Sequence, residues 1–344
     1  MKARKTKKNK KPFISIVIPF LDEEGTLQKL YNSVKRNLQK GGFPHEIIFI
    51  DDGSTDNGAA VVEKLYKRDM KHVVSITFRR NFGKAAALAC GFEYARGDII
   101  ITMDADLQDD PNEISRLIAK INEGYDLVSG WKYKRYDPIT KTIPSKIFNR
   151  AVSFVSGVKI HDFNCGLKAY RTEVVKELDV YGSFHRFIPA MAHWRGFRVT
   201  EIKVKHHPRT VGKSKYGVRR YIPGFMDLLT LWYLWKFGQK PIKLFGVTGI
   251  VFFLFGFINW IYIYLPKALW LVSKALFNLG MGGDPGDVVT IGQRLPMIMI
   301  SLLFILVGIQ LFSTGLVAEY IVYSASVRRD YTIRKELGLW HQKK

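Results

Sequence analysis

Along its first 130 residues the chain alternates short apolar, β-branched runs with longer amphipathic stretches. FISIVIP (13–19), EIIFID (46–51), HVVSITF (72–78) and DIIITMD (98–104) read as strands. Between them 24–39, 57–69, 83–96 and 111–123 read as helices. Strands alternating with helices of this length predict parallel βαβ units, with both faces of the sheet covered. YDLVSG (125–130) adds a strand, SKIFNRAVSFVSG (145–157) and SFHRFIPAMAHWRG (183–196) add helices, and FRVTEIKVKHH (197–207) alternates imperfectly, as an edge strand does. The Ala and Gly residues of 83–96 permit close packing on a sheet.

The pattern then changes. GVRRYIPGFMDLLTLWYLWKF (217–237) is aromatic and basic at once, which suits an amphipathic helix lying in a membrane interface; a helix of a soluble domain is the alternative. Residues 244–265 and 295–318 contain no charged side chain. About 20 apolar residues span a hydrocarbon core, so both read as transmembrane helices rather than buried core helices. The intervening segment 266–294, read as a loop, is nearly neutral, with Lys267, Lys274, Asp284, Asp287 and Arg294. The outer flanks are basic: Arg219, Arg220, Lys236, Lys240 and Lys243 on one side, Arg328, Arg329, Arg334 and Lys335 on the other. The positive-inside tendency then predicts a multi-pass protein of the inner (plasma) membrane, with its folded domain and both termini in the cytoplasm. MKARKTKKNKK has no apolar core and reads as no signal peptide. The expected layout is a basic disordered tail (1–12), an α/β domain (13–215), amphipathic juxtamembrane helices (216–241), two transmembrane helices (242–325) and a basic tail (326–344).

The chain carries 53 Lys+Arg against 30 Asp+Glu, a formal +23. Its basic clusters flank the spans and fill the tail without interleaved exposed aromatics, so anionic headgroups, not nucleic acid, are the expected partner. For the amino-terminal tail alone, a solvated arm and a lipid-binding one are equal readings. Two cysteines, Cys90 and Cys165, suit a reducing compartment, and Cys90 reads as a small packing residue.

Against that charge, four carboxylates crowd the end of one apolar run: Asp104, Asp106, Asp109 and Asp110. Strand ends elsewhere are polar too, at Pro19–Glu23 and Asp51–Ser54, and ligands of parallel sheets bind beyond the carboxyl ends of the strands. Residues two apart in an extended chain point the same way, so Asp104 and Asp106 project together, with Gln108 two further on. Their repulsion would raise one pKa in an empty site, and a divalent cation removes it. Carboxylate and amide oxygens suit Mg²⁺ or Mn²⁺, and no His/Cys set recommends zinc. A lone D-x-D is a weak sign by itself. Asp109 and Asp110, before Pro111, are expected to cap the following helix. Ser54 or Asp56 is expected to cap another, while Asp51 and Asp52 face the crevice and could accept hydrogen bonds from a nucleobase or ribose.

IVIPFLDEEGTL, EIIFIDDGSTDN, NFGKAAALACGFEYARGDIIITMDADLQDDP and HHPRTVGKSKYG, in this order over residues 13–220, resemble glycosyltransferase family 2. Within it they are similar to the polyprenyl-phosphate sugar synthases, of the dolichyl-phosphate mannose synthase and bacterial undecaprenyl-phosphate glucosyltransferase type. The resemblance implies a GT-A (Rossmann-like) α/β domain with a mostly parallel sheet. It places Pro19, Leu21, Glu23, Ile50, Asp52 and Asp104 around the nucleotide, with Leu21 standing where relatives often have tyrosine. Asp104, Asp106 and Gln108 match the metal and diphosphate site, with Mg²⁺ or Mn²⁺ as cofactor. Lys132, Arg209 and Lys215 match phosphate-gripping positions, and Asp162 matches an aspartate near the reacting centre. Lys132 and Lys168 stand where arginine is more usual, giving point charges in place of a fork.

The implied reaction is inverting transfer of a sugar from a nucleotide diphosphate sugar (UDP-glucose or similar, or GDP-mannose) to a polyprenyl phosphate. An anionic lipid phosphate needs little base assistance, so the departing diphosphate is what requires stabilising. Relatives assemble as homo-oligomers, an expectation the resemblance alone carries. A processive polysaccharide synthase of the same fold would carry Q-x-x-R-W and more spans; the nearest fragment here is AHWRG (192–196). A silent nucleotide-binding adaptor would have no need of Asp104, Asp106, Arg209 and Lys215 together.

Overall fold

The computed structural model describes residues 11–133, 139–178, 184–208, 221–238, 240–281 and 295–325. Seven strands, β1 Ile14–Phe20, β2 His45–Asp51, β3 Val73–Thr77, β4 Ile99–Thr102, β5 Leu127–Lys132, β6 Lys168–Arg171 and β7 Val199–Val204, form one sheet. The helices are α1 Glu24–Lys40, α2 Gly58–Arg68, α3 Lys84–Tyr94, α4 Ile114–Asn122, α5 Ile139–Ser156, α6 Thr172–Glu177, α7 Ile188–Trp194, α8 Tyr221–Phe237, α9 Ile242–Asn278 and α10 Leu295–Ala325. The chain groups into two units, up to Thr230 and from Leu231.

In the first unit the strand order is β3-β2-β1-β4-β6-β5-β7, with β7 at an edge as its pattern predicts. β1, β2, β3 and β4 pair in parallel; β6 runs antiparallel to both β4 and β5, and β5 is parallel to β7. β1 and β2 are buried along their whole length, which is why they read as continuous apolar runs. Core layers lie on both faces: Leu27, Leu30, Val34, Leu117 and Ile121 from α1 and α4 on one, Ala87, Leu88 and Phe92 from α3 on the other. At the amino-terminal rim Glu46 is fully committed, accepting from the Ser15 hydroxyl at 2.7 Å and from the Arg96 guanidinium at 2.6 and 2.9 Å. That carboxylate is structural.

The antiparallel orientation of β6 decides the site. Lys168, its first residue, pairs in register with Thr102 at the end of β4 and with Ser129 in β5. The start of β6 therefore lies on the same rim as the carboxyl ends of the parallel strands. The strand order reverses between β1 and β4, where a crevice opens in sheets of this kind.

In the second unit α9 and α10 form an antiparallel hairpin. The segment read as a loop from 266 is helical as far as Asn278, with Pro266 inside α9. At 1.5 Å per residue α9 is about 55 Å long, well beyond a ~30 Å hydrocarbon core. Both helices are long and apolar enough to cross a membrane. Their Leu, Ile, Val and Phe side chains point outward, among them Val251, Ile258, Leu269, Leu303 and Val317, which a lipid environment accounts for and a soluble core does not.

Between the helices the backbones touch. A Cβ on Gly249 would lie 2.7 Å from the Gly308 carbonyl oxygen, and one on Gly308 would lie 2.5 Å from the Phe253 nitrogen. The Glu319 carboxylate accepts from the Ile242 amide at 3.2 Å, capping the start of α9 from the end of α10. Gly249→Leu is expected to force the pair apart and cost about 1–3 kcal/mol. A thermal melt of the detergent-solubilised chain checks this, and an unchanged melting temperature would contradict the close seam.

Candidate active site

Three loops at the carboxyl ends of β1, β2 and β3 are tied to one another. Asp22, with φ 49°, donates its amide to the Ser54 hydroxyl at 2.9 Å and accepts from the Thr55 amide at 2.7 Å. Asp51 accepts from the Ser54 amide at 2.8 Å, closing the turn after β2. Of the two expected caps, Asp56 is the one that bonds helix starts, accepting from Gly58 of α2 and Glu24 of α1, both at 2.9 Å. Asp52 spends its carboxylate on the loop before α3, accepting from Phe82 at 2.8 Å and Gly83 at 3.0 and 3.2 Å. Pro19 and Ile50 sit side by side in register. The Ile50 side chain belongs to the core, which leaves its backbone for any ligand. Leu21 and Glu23 are half-buried at the turn into α1.

The carboxylate run departs from expectation in two respects. Asp104 is a quarter exposed, and the Lys84 ammonium lies 2.5 Å from its Oδ1. Burial pushes the Asp104 carboxyl up, but the charges of Lys84, Lys132 and Lys168 outweigh it and hold the group down at about 2. Three lysines thus compensate the Asp104 charge. Asp109 is the second departure. It does not cap; only Asp110 does, accepting from the Asn112 amide at 2.9 Å. Asp109 is fully buried and ion-paired at 3.1 Å with Lys132, itself only 14% exposed. Proximity to Pro111 gave both aspartates one reading, but Asp109 is committed to Lys132 and Asp110 alone to the cap.

Asp106 accepts from the Gln108 amide at 3.2 Å. Gln108 is stitched to the chain after β7: its carbonyl accepts from the His207 amide at 2.8 Å, and its side chain donates to the His207 carbonyl at 3.5 Å. His206 bridges to Asp109 in the same antiparallel fashion. The segment that leads to Arg209 thus leaves from the acidic loop. Arg209 and Lys215 themselves lie outside the described residues.

On the β5–β6 side Asp162 is buried, its Oδ1 accepting from Asn164 at 3.1 Å, and its charge acts on both Lys132 and Lys168. Lys168 is buried and donates to the Cys165 carbonyl. Burial pushes its ammonium down, against the Asp162 and Asp104 carboxylates. Burial pushes the neighbouring Cys165 thiol up to about 12, so it is an inert packing group. Gly166 makes room for the acid: a Cβ there would stand 2.4 Å from the Asp104 carboxyl.

Two residues of this site escaped the sequence reading. Lys84 was legible only as the one charge in GKAAALACGF, a stretch otherwise explained by helix packing. His185 has its Nδ1 buried without a hydrogen-bond partner; burial, then the Lys84 charge, lowers its pKa to about 3, so the imidazole is neutral.

Among the described residues no three His, Cys, Asp or Glu side chains converge as a self-sufficient metal cage. Asp104, Asp106 and Gln108 would instead suit Mg²⁺ or Mn²⁺ sharing its shell with phosphate oxygens. The Lys84 ammonium already stands where a cation would sit on Asp104.

The model of the glycosyl transferase family 2 domain matches residues 15–179. An undecaprenyl-phosphate 4-deoxy-4-formamido-L-arabinose transferase of Shewanella sediminis is 36% identical over 91% of this chain and 88% of its own. The chain belongs to glycosyl transferase family 2, in its polyprenyl-phosphate branch. A dodecaprenyl-phosphate galacturonate synthase of Rhizobium johnstonii is 32% identical over 94% of this chain and 92% of its own. Among solved structures, glucosyl-3-phosphoglycerate synthase from Mycobacterium tuberculosis, crystallised with Mn²⁺, uridine-diphosphate-glucose and phosphoglyceric acid, superposes with a TM-score of 0.50 at 20% identity, over 64% of this chain and 80% of its own. That likeness concerns the GT-A fold. This family 2 member is thus a glycosyltransferase, with its carboxylate rim at the switch point of a GT-A sheet.

Proposed function

We propose that the enzyme moves a sugar from a nucleotide diphosphate sugar to a polyprenyl phosphate in one inverting displacement at the carboxyl ends of β1, β2 and β4. The observation that carries this reading is Asp104 among the ammoniums of Lys84, Lys132 and Lys168, a rim built to hold clustered negative charge and its counter-ions. The base and ribose would lie against Pro19, Leu21, Glu23, Ile50 and Asp52. Asp104, Asp106 and Gln108 would hold Mg²⁺ or Mn²⁺, whose Lewis acidity disperses charge on the departing diphosphate. Arg209 and Lys215 would bring the two anions together by position and charge. Lys132, anchored to Asp109, adds fixed positive potential at the same rim. The acceptor phosphate is already anionic, so Asp162 would orient sugar or acceptor and need take no proton. Basic flanks at both ends of the hairpin would keep the catalytic face on the cytoplasmic leaflet, where the acceptor's headgroup lies.

The test offers membranes labelled UDP-glucose, UDP-galacturonate and GDP-mannose, with and without polyprenyl phosphate, and extracts into organic solvent. Label is expected in the organic phase with one donor, only when lipid phosphate is present. EDTA should abolish it, and Mn²⁺ or Mg²⁺ restore it. Transfer that ignores lipid phosphate, or survives chelation, would overturn the corresponding half of the proposal.

A further inference from the structure

Lys84 has no place in the scheme above beyond its charge, yet it makes a direct contact to an expected metal ligand. It is the first residue of α3, and the loop before it is pinned by the Asp52 carboxylate through the amides of Phe82 and Gly83. Its backbone is therefore fixed beside the nucleotide end of the crevice. The head is not: a four-carbon stem can swing the ammonium several ångströms while the Cα stays in place. Asp104 has less freedom, since its stem is a single carbon and Gly166 packs against its carboxyl with no room for a Cβ. Both partners of the contact are about 30% exposed and open to exchange with solvent ions.

From this asymmetry we infer that Lys84 is a displaceable counter-ion, seated on Asp104 in the empty enzyme and moved off by the incoming divalent cation, after which its ammonium faces the diphosphate. The inference rests on the metal reading of Asp104 and Asp106. Its physical content is competition for one oxygen. Before a nucleotide arrives, a metal must expel the ammonium and has only protein oxygens to gain. With a diphosphate present, the released ammonium finds a new anion within reach, so metal and donor enter together. Metal alone is then held weakly by design.

The experiment measures Mn²⁺ binding to the purified full chain in detergent, without nucleotide, from the electron paramagnetic resonance signal of free Mn²⁺. Lys84→Met and Lys84→Gln are expected to bind Mn²⁺ about five- to tenfold tighter than the parent, since the competing charge is gone. Lys84→Arg, which keeps the charge, should stay within about twofold. Asp106→Asn, which leaves the Lys84 side chain in place, should lose the site. Should Asp106→Asn bind Mn²⁺ as the parent does, the metal reading falls and this inference with it. Should the site vanish in Asp106→Asn but bind no tighter in either uncharged Lys84 variant, the counter-ion role alone is overturned. Two uncharged variants are used so that a folding failure in one leaves the other decisive.

Discussion

Asp106→Asn should lower transfer to the lipid acceptor by on the order of 10²–10³-fold at saturating donor. The substitution is chosen because the structure tells its local effect. Asp106 accepts from the Gln108 amide through one oxygen, a bond that an asparagine oxygen also makes. The left-handed turn at Leu107 and the links to His207 should therefore persist. The negative charge is removed. Asp104→Asn would be less clean, because it strands the Lys84 ammonium as well. The two measurements are turnover of labelled donor and thermal unfolding of the same preparation. Unfolding should shift by no more than about 1 kcal/mol, the centre of the range for point substitutions. Turnover near that of the parent would remove the acidic rim from the chemistry.

Lys132→Met should act through stability first. Asp109 is fully enclosed, and Lys132 is its ion-pair partner. Truncating one member of a buried pair leaves the other charged in a poorly solvating site, at a cost of about 3–5 kcal/mol. The melting temperature in detergent should drop by roughly 6–20 °C on that basis. Combining Lys132→Met with Asp109→Asn removes both charges and should recover most of the loss. That recovery separates an architectural role from a catalytic one. If activity stays low in the stable double variant, Lys132 also supplies potential to the diphosphate. A single variant as stable as the parent would mean that the pair is solvated, against its burial.

The alternation of β-branched runs with amphipathic helices was readable because parallel strands buried on both faces have no polar positions to blur them. β6 was not, since AYR supplies too few residues for a period and lies between Lys168 and the short α6. The consequence was chemical: without β6, nothing brings Lys168 to the rim. Pro266 and Lys267 interrupted the apolar run and suggested the end of a helix, yet α9 continues for three further turns. The acidic rim itself was legible from Asp104 and Asp106. Of its lysines, Lys132 and Lys168 were singled out only through the family resemblance and Lys84 was missed, because a lysine in sequence looks like solvated surface until the partner across the sheet is known. Asp109 was misread for the same reason, its partner Lys132 being on another strand.

Because β5 touches only β6 and β7, it stays unpaired on a growing chain after β1 to β4 have joined. The acids of the β4 loop therefore emerge from the ribosome well before Lys168 and its neighbours arrive to balance them. A nascent intermediate with an open β4 edge is the aggregation-prone species to expect. The last strand ends at Val204, ahead of the first residue of α9 at Ile242. Synthesis thus completes the strands of the sheet before it makes the apolar hairpin.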